Sequence, residues 1–166
     1  MHAETDQDRF VEVVKSFGTG MLVTRTSGGA LRSRPMGVAE VEPDGTVWFV
    51  TSADTPKTEE IADKSEVNVA FQSATTYASL SGRAKLEQDR ARIRSLWSEA
   101  WRVWFPDGPE TSDLVLIGVL PSVGEYWDQR GQKGLRFLWE AAKAYVSGDR
   151  IDDDAAERDG HGKVRL

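Results

Sequence analysis

Residues 47–62, VWFVTSADTPKTEEIA, constrain the fold more than any other stretch. The β-branched and aromatic run 47–51 predicts a buried strand. A short polar turn follows, and Pro56 fits the first position of a helix, where its missing N–H would be unpaired anyway. Thr55 is then the N-cap, with a hydroxyl suited to an orphan backbone N–H. This places Lys57 at the positive end of the helix dipole, where a cation is disfavoured by about 0.3–1 kcal/mol. Free N–H groups with Ser52, Thr55 and Lys57 form a seat for a phosphate. The alternative is a Lys57 that is simply solvated.

The 166 residues are enough for one domain with a substantial core. Hydrophobic residues make up 39% and charged residues 29%, a globular balance. The net charge of −6 opposes general nucleic-acid binding but leaves room for a small anion held by a local cluster. With no cysteine there is no disulfide, thiolate nucleophile or Cys-zinc site. His2 and His161 both lie near the ends, so a histidine triad or histidine metal site is not expected. The N-terminal MHAETDQDRF lacks the pattern of a secretory signal, and no apolar run is long enough to span a membrane, so a cytoplasmic protein is expected.

Hydrophobic spacing predicts a first helix over 6–17, started by Thr5 and Asp8. Strands are expected over 21–26, 31–41, 46–51, 67–72, 77–86, 114–120 and 123–128. Pro35 implies an edge, a bulge or an unpaired N–H in its strand. A helix from Pro56 should end near Lys64. Another, capped by Asp89, should carry Ile93, Leu96, Trp97, Ala100, Trp101 and Trp104, with the three tryptophans on one face. A last helix is expected over 135–146, and the remainder to Leu166 reads as a loose acidic tail. Short antiparallel strands in this length predict a mostly β small barrel with helical additions. There is no Gly-rich dinucleotide fingerprint and no phosphate-binding P-loop.

Arg32 and Arg34 fall on one face of their strand and Ser33 on the other. Two arginines so placed can present planar donor forks to a phosphate or carboxylate, and Pro35 leaves nearby backbone groups free for a ligand. A solvated edge strand is the plain alternative. Trp127, beside Tyr126, Asp128 and Arg130, either lies against a flat ring or closes the barrel. The acidic groups Glu40/Glu42, Glu59/Glu60 and 152–154 read mostly as solvated faces.

The order RSRPMG, WFVTS, TPK, NVAF and YASLSGRAKL, with YWD and a closing HGKVRL, resembles the FMN-binding split-barrel superfamily of pyridoxamine 5′-phosphate oxidase-like proteins, in its general stress protein 26 branch. The resemblance implies a six-stranded antiparallel split β-barrel with flanking helices as one domain over 1–166, its C-terminal helix and tail beginning near 134. It implies a homodimer with FMN at the interface, FAD or a deazaflavin being less favoured, and a small-molecule redox partner. By position, Arg32, Ser33, Arg34, Pro35 and Met36 would line the flavin, with Val50 and Thr51 continuing that wall. Lys57, with Ser52 or Thr55, would hold the phosphate. Tyr77 would approach from a neighbouring strand or subunit, and Trp127 would touch the ring. Related oxidases often carry an Arg-Lys pair where this chain has Pro56-Lys57, and Arg34 is the candidate to complete the charge. The basic and aromatic C-terminal pattern that grips pyridoxal phosphate is missing, which disfavours a vitamin B6 oxidase. A flavin-dependent oxidoreductase, a non-enzymatic flavin binder or sensor, and a deazaflavin-dependent reductase all remain open at this point, and no catalytic residue stands out.

Overall fold

The computed structural model describes residues 5–128 and 161–166. The expected helix over 135–146, Arg130 and the acidic run 152–154 lie outside the described residues. Helix α1 (Asp6–Lys15) opens with Thr5, whose hydroxyl accepts from the Asp8 N–H while Asp8 accepts from the Thr5 N–H. Strands β1 (Thr19–Arg25), β2 (Leu31–Val41) and β3 (Val47–Ser52) follow, then α2 (Pro56–Asp63). Next come β4 (Glu66–Gln72), β5 (Thr76–Glu87), α3 (Arg90–Leu96), β6 (Leu114–Asp128) and β7 (His161–Arg165).

All pairings are antiparallel, in the order β3-β2-β1-β4-β5-β6-β7, and β3 also pairs with β6. That last pairing closes six strands into the expected barrel. The long strand β6 makes closure possible. Its first part, Leu114 to Val119, pairs with β3, and its later part, Val123 to Trp127, pairs with β7. The two expected strands 114–120 and 123–128 are thus one, with a register shift at Ser81/Gly82, where Ser81 pairs with Val123, Gly82 pairs with Pro121 and Ser122 is the extra residue. Residues 161–165, expected as loose tail, form β7 because this second part of β6 has an edge to fill.

Alternation along the strands builds the core. Leu22, Met36, Phe49, Val69, Leu80, Ile117 and Val119 point inward, joined by Phe10, Val13 and Val14 of α1. Phe10 sits against Gly124, where a Cβ would come within 2.7 Å of its ring. At the other end α2 packs against β1 and β5. A second apolar cluster lies outside the barrel wall, where Trp48, Leu114 and Leu116 meet Ile93 of α3.

The helix expected to carry three tryptophans on one face stops at Leu96. Trp97 leaves helical geometry with ψ 136°, and a 3-10 segment (Glu99–Val103) follows. Trp97 and Trp101 meet edge to face at 5.7 Å, whereas Trp104 is 70% exposed. Pro35 behaves as an edge residue: residues 31–37 of β2 pair with β1 only, and β3 pairing begins at Val38.

Candidate anion seat at the barrel end

The β1–β2 hairpin and α2 meet at one end of the barrel. Thr24 lies in the inward phase of β1, two residues beyond buried Leu22, and is itself buried. Opposite it in register are Arg32, paired with Thr24, and Arg34, paired with Leu22. Ser33 and Pro35 are exposed on the outer side, as alternation requires. Met36 is buried in the main core, so its side chain serves packing.

Helix α2 brings Lys57 and Glu60 to this end, three residues apart and therefore on one helix face. Glu60 is buried, against the expectation of a solvated carboxylate. Its Oε2 accepts from the Thr24 hydroxyl at 2.5 Å and from Arg34 Nη2 at 3.0 Å, and its Oε1 accepts from Arg32 Nη1 at 3.2 Å. Arg34 Nη1 also donates to Thr24 Oγ1 at 2.5 Å and to the Leu22 carbonyl at 3.4 Å. A buried carboxylate survives only when paired and hydrogen-bonded, and here both conditions hold. The hydrogen bond from Thr24, followed by the charges of Arg34 and Arg32, holds Glu60 below the usual carboxylate range despite its burial.

Lys57 has the opposite environment. It is half-buried, and among the described residues its ammonium has no hydrogen bond or ion pair. Burial, and then the positive charge of Arg34, push its pKa below the ordinary lysine value. Both effects disfavour the charged amine, and the negative charge of an anion placed between Lys57 and Arg34 would offset them. Arg32, Arg34 and Lys57 against Glu60 leave a local excess of positive charge in a chain whose net charge is −6.

The neighbouring β3–α2 turn is tightly bonded. The Thr55 hydroxyl donates to the Ser52 carbonyl at 3.2 Å, and the Thr58 hydroxyl donates to the Ala53 carbonyl at 2.5 Å. Ser52 donates its hydroxyl to Asp113, so this side chain already has an acidic partner. Thr51 is buried, while Val50 packs against the second apolar cluster beneath α3.

Tyr77 and Trp127 form a separate group. They are register partners on β5 and β6, and Trp127 pairs with His161 of β7. The Trp127 and His161 rings stack at 4.9 Å with 7° between planes. Tyr77, 37% exposed, lies on the outer side. In strand order β5 is three strands from β2, about 14 Å across the sheet. Along the strands, Tyr77 pairs with Gln72, at the end of β4 and β5 away from Glu66, which follows α2, so within one chain Tyr77 and Trp127 are not brought to Lys57 and Arg34.

Sequence reading missed Thr24 and Glu60. The available signals were weak. A threonine in the inward phase of an otherwise apolar strand needs a partner, and Glu60 falls one helical turn after Lys57. Neither signal names the other residue, because α2 must first dock on β1.

The chain belongs to the pyridoxamine 5′-phosphate oxidase-like family, whose pattern matches residues 5–152, and its closed barrel is consistent with that membership. Protein bli-3 of Neurospora crassa is 30% identical over 142 residues, covering 76% of this chain and 68% of that protein. The structure of a candidate general stress protein 26 from Jannaschia sp. CCS1 superposes with TM-score 0.68 at 25% identity, covering 95% of this chain and 96% of that one. A pyridoxamine 5′-phosphate oxidase-related, FMN-binding protein from Nostoc punctiforme shares the fold with TM-score 0.59 at 17% identity, over 75% of this chain and 83% of that one. Among the described residues no helix is long and apolar enough to cross a membrane.

Proposed function

We propose that this chain is an FMN-binding protein that acts as a homodimer, with the phosphate of FMN seated by Lys57 together with Arg32 and Arg34. The observation that carries this reading is the half-buried Lys57 ammonium, unpaired among the described residues and crowded by Arg34. A phosphate monoester brings a charge of about −1.5 to −2 at neutral pH and accepts several hydrogen bonds, which suits this donor set. The family and the FMN-binding relative support a flavin as that ligand.

The outer side of the β2-β1-β4-β5 sheet supports the dimer. Residues Met21, Ser33, Pro35, Ala70, Ser79 and Tyr77 present a low-charge surface there. By contrast, α3 covers the outer side of β3 and β6. Two copies meeting on this side would bring Tyr77 of one chain toward β2 of the other, which the separation within one chain otherwise prevents. Bound FMN would supply two-electron redox chemistry. The chain's own residues would seat the phosphate, orient the ring against β2 and shield it from water.

The test is a visible absorption spectrum of the purified protein, followed by titration with FMN and with riboflavin. The expected result is a flavin spectrum or saturable quenching at one FMN per chain, with riboflavin markedly weaker. Sedimentation should give twice the chain mass of 18.4 kDa. A colourless monomer indifferent to FMN would overturn the reading. Reduction of the bound flavin by a reduced nicotinamide would then separate an oxidoreductase from a passive flavin binder.

A further inference from the structure

We infer that Thr24 and Glu60 are positioning residues of the phosphate seat, fixing the guanidinium groups of Arg32 and Arg34 in the places from which they meet an anion. This rests on the FMN reading above. Arginine side chains carry about 2 kcal/mol of rotamer entropy, so two arginines on an edge strand would ordinarily sample many positions. Here one carboxylate holds both, with Oε1 taking Arg32 at 3.2 Å and Oε2 taking Arg34 at 3.0 Å. Thr24 closes the ring: its hydroxyl accepts from Arg34 Nη1 and donates to Glu60 Oε2. A carboxylate that only offset charge would need one arginine and no hydroxyl.

Burial gives this ring its rigidity. Thr24 is 1% exposed and Glu60 8%, whereas Arg32 reaches solvent. The two buried residues are placed to act through the arginines, and hydrogen bonds in so dry a place are stronger and mutually reinforcing. Such a ring prepays the ordering of two long side chains, which is how preorganisation raises affinity. Lys57, carried on the same helix as Glu60, then takes its position from the same anchor.

The deciding variant is Thr24→Val, which keeps the side-chain shape and alters no charge. Loss of a buried hydroxyl in this ring should weaken FMN binding roughly fivefold, a typical hydrogen-bond effect. Riboflavin, lacking the phosphate, should bind as it does to the unaltered protein. Glu60→Gln should weaken FMN about tenfold, even though it makes the seat more positive, because charge-assisted bonds are the stronger ones. Tighter or unchanged FMN binding in Thr24→Val would overturn the inference. Equal loss of FMN and riboflavin would also overturn it, reducing the pair to a role in folding. If the unaltered protein does not prefer FMN to riboflavin, the phosphate seat itself fails and the inference falls with it. Melting of each flavin-free variant checks folding, and if Glu60→Gln does not fold, Thr24→Val decides alone.

Discussion

The guanidinium carbon of Arg92 lies 3.9 Å from the centroid of the Trp48 ring. The same guanidinium donates to Glu40 at 3.1 Å and Glu42 at 2.5 Å. Arg92 therefore ties α3 to both β2 and β3, and the two carboxylates that read as solvated have a common partner. Trp48 is 1% exposed, so the cation–π contact is largely shielded from water. Arg92→Met should keep the packing of the stem but lose the charge interactions. We expect a loss of about 1–2 kcal/mol, since the ion pairs are part-exposed and individually weak. Chemical denaturation measures the loss. A stability unchanged from the parent would mean that Ile93 and Leu116 hold α3 without help.

Lys57→Ala should separate FMN from riboflavin. A charged hydrogen bond to phosphate is worth about 1.5–3 kcal/mol, so FMN should weaken by one to two orders of magnitude. Riboflavin should change little, because the lost contact is remote from the ring. The lowered pKa of Lys57 adds a pH signature. As pH rises, this lysine loses its proton earlier than an ordinary one, and FMN affinity should fall on the alkaline side. Titrations from about pH 7 to about pH 10 with both ligands would show the fall for FMN only. Equal losses for both ligands in Lys57→Ala would sink the phosphate assignment.

Glu60 gives the fold an acid-sensitive element. Its folded pKa is depressed, chiefly by the Thr24 hydrogen bond and then by Arg34 and Arg32. A depressed folded pKa means that the unfolded chain takes up the proton first. The stabilisation is thus fully present above the ordinary carboxylate pKa and disappears as pH falls through the folded value. Melting temperatures across the acid range should drop less steeply for Glu60→Gln than for the parent. Identical slopes would show that other carboxylates govern acid unfolding.

Most of the barrel was legible because its strands alternate or run apolar between strong turn residues. Residues 43–45, Pro-Asp-Gly, mark one turn, and Gly45 does adopt a positive φ of 87°. The Pro56-Lys57 start of α2 was legible because proline has few places to sit in a helix. Strand β7 was not, because His161, Gly162, Lys163 and Arg165 have no alternation to read. Its conformation comes from pairing with β6, a contact remote in sequence. The end of α3 was missed because Trp97, Trp101 and Trp104 keep helical spacing after the helix has stopped. The proposed phosphate seat was half visible. The cations stand out by type, while Glu60 and Thr24 become partners only after the elements dock.

Gly82 holds the irregular point of the β5–β6 pairing. A Cβ there would lie 2.0 Å from the Leu120 carbonyl oxygen and 2.9 Å from its carbonyl carbon. These are backbone atoms held in the β5–β6 ladder, so they cannot move aside cheaply. Gly82→Ala should cost more than about 3 kcal/mol, beyond the usual range for point changes. Gly18→Ala is the control, because nothing lies within 4 Å of its added carbon. Expression in soluble form and the denaturation midpoint would test both. Wild-type-like stability of Gly82→Ala would mean that β6 can shift its register at Pro121.

Trp127 offers the complementary test to Lys57. Its ring stacks on His161, and its strand neighbour on the other side is Tyr77. In a dimer built on the outer sheet side, this aromatic group would be available to the flavin ring rather than to the phosphate. Trp127→Phe keeps an aromatic face for His161 and should preserve β7, whereas Trp127→Ala removes it. We expect Trp127→Ala to weaken FMN and riboflavin by the same factor, of order tenfold for one stacking contact of about 1–1.5 kcal/mol. That equality is the opposite of the Lys57 signature, so the two variants together separate ring recognition from phosphate recognition. Flavin fluorescence titrations of both variants with both ligands give the four numbers required. Unaltered flavin affinity with a lowered melting temperature would instead assign Trp127 to holding β7 against β6, and the ring contact would have to come from elsewhere on the outer sheet.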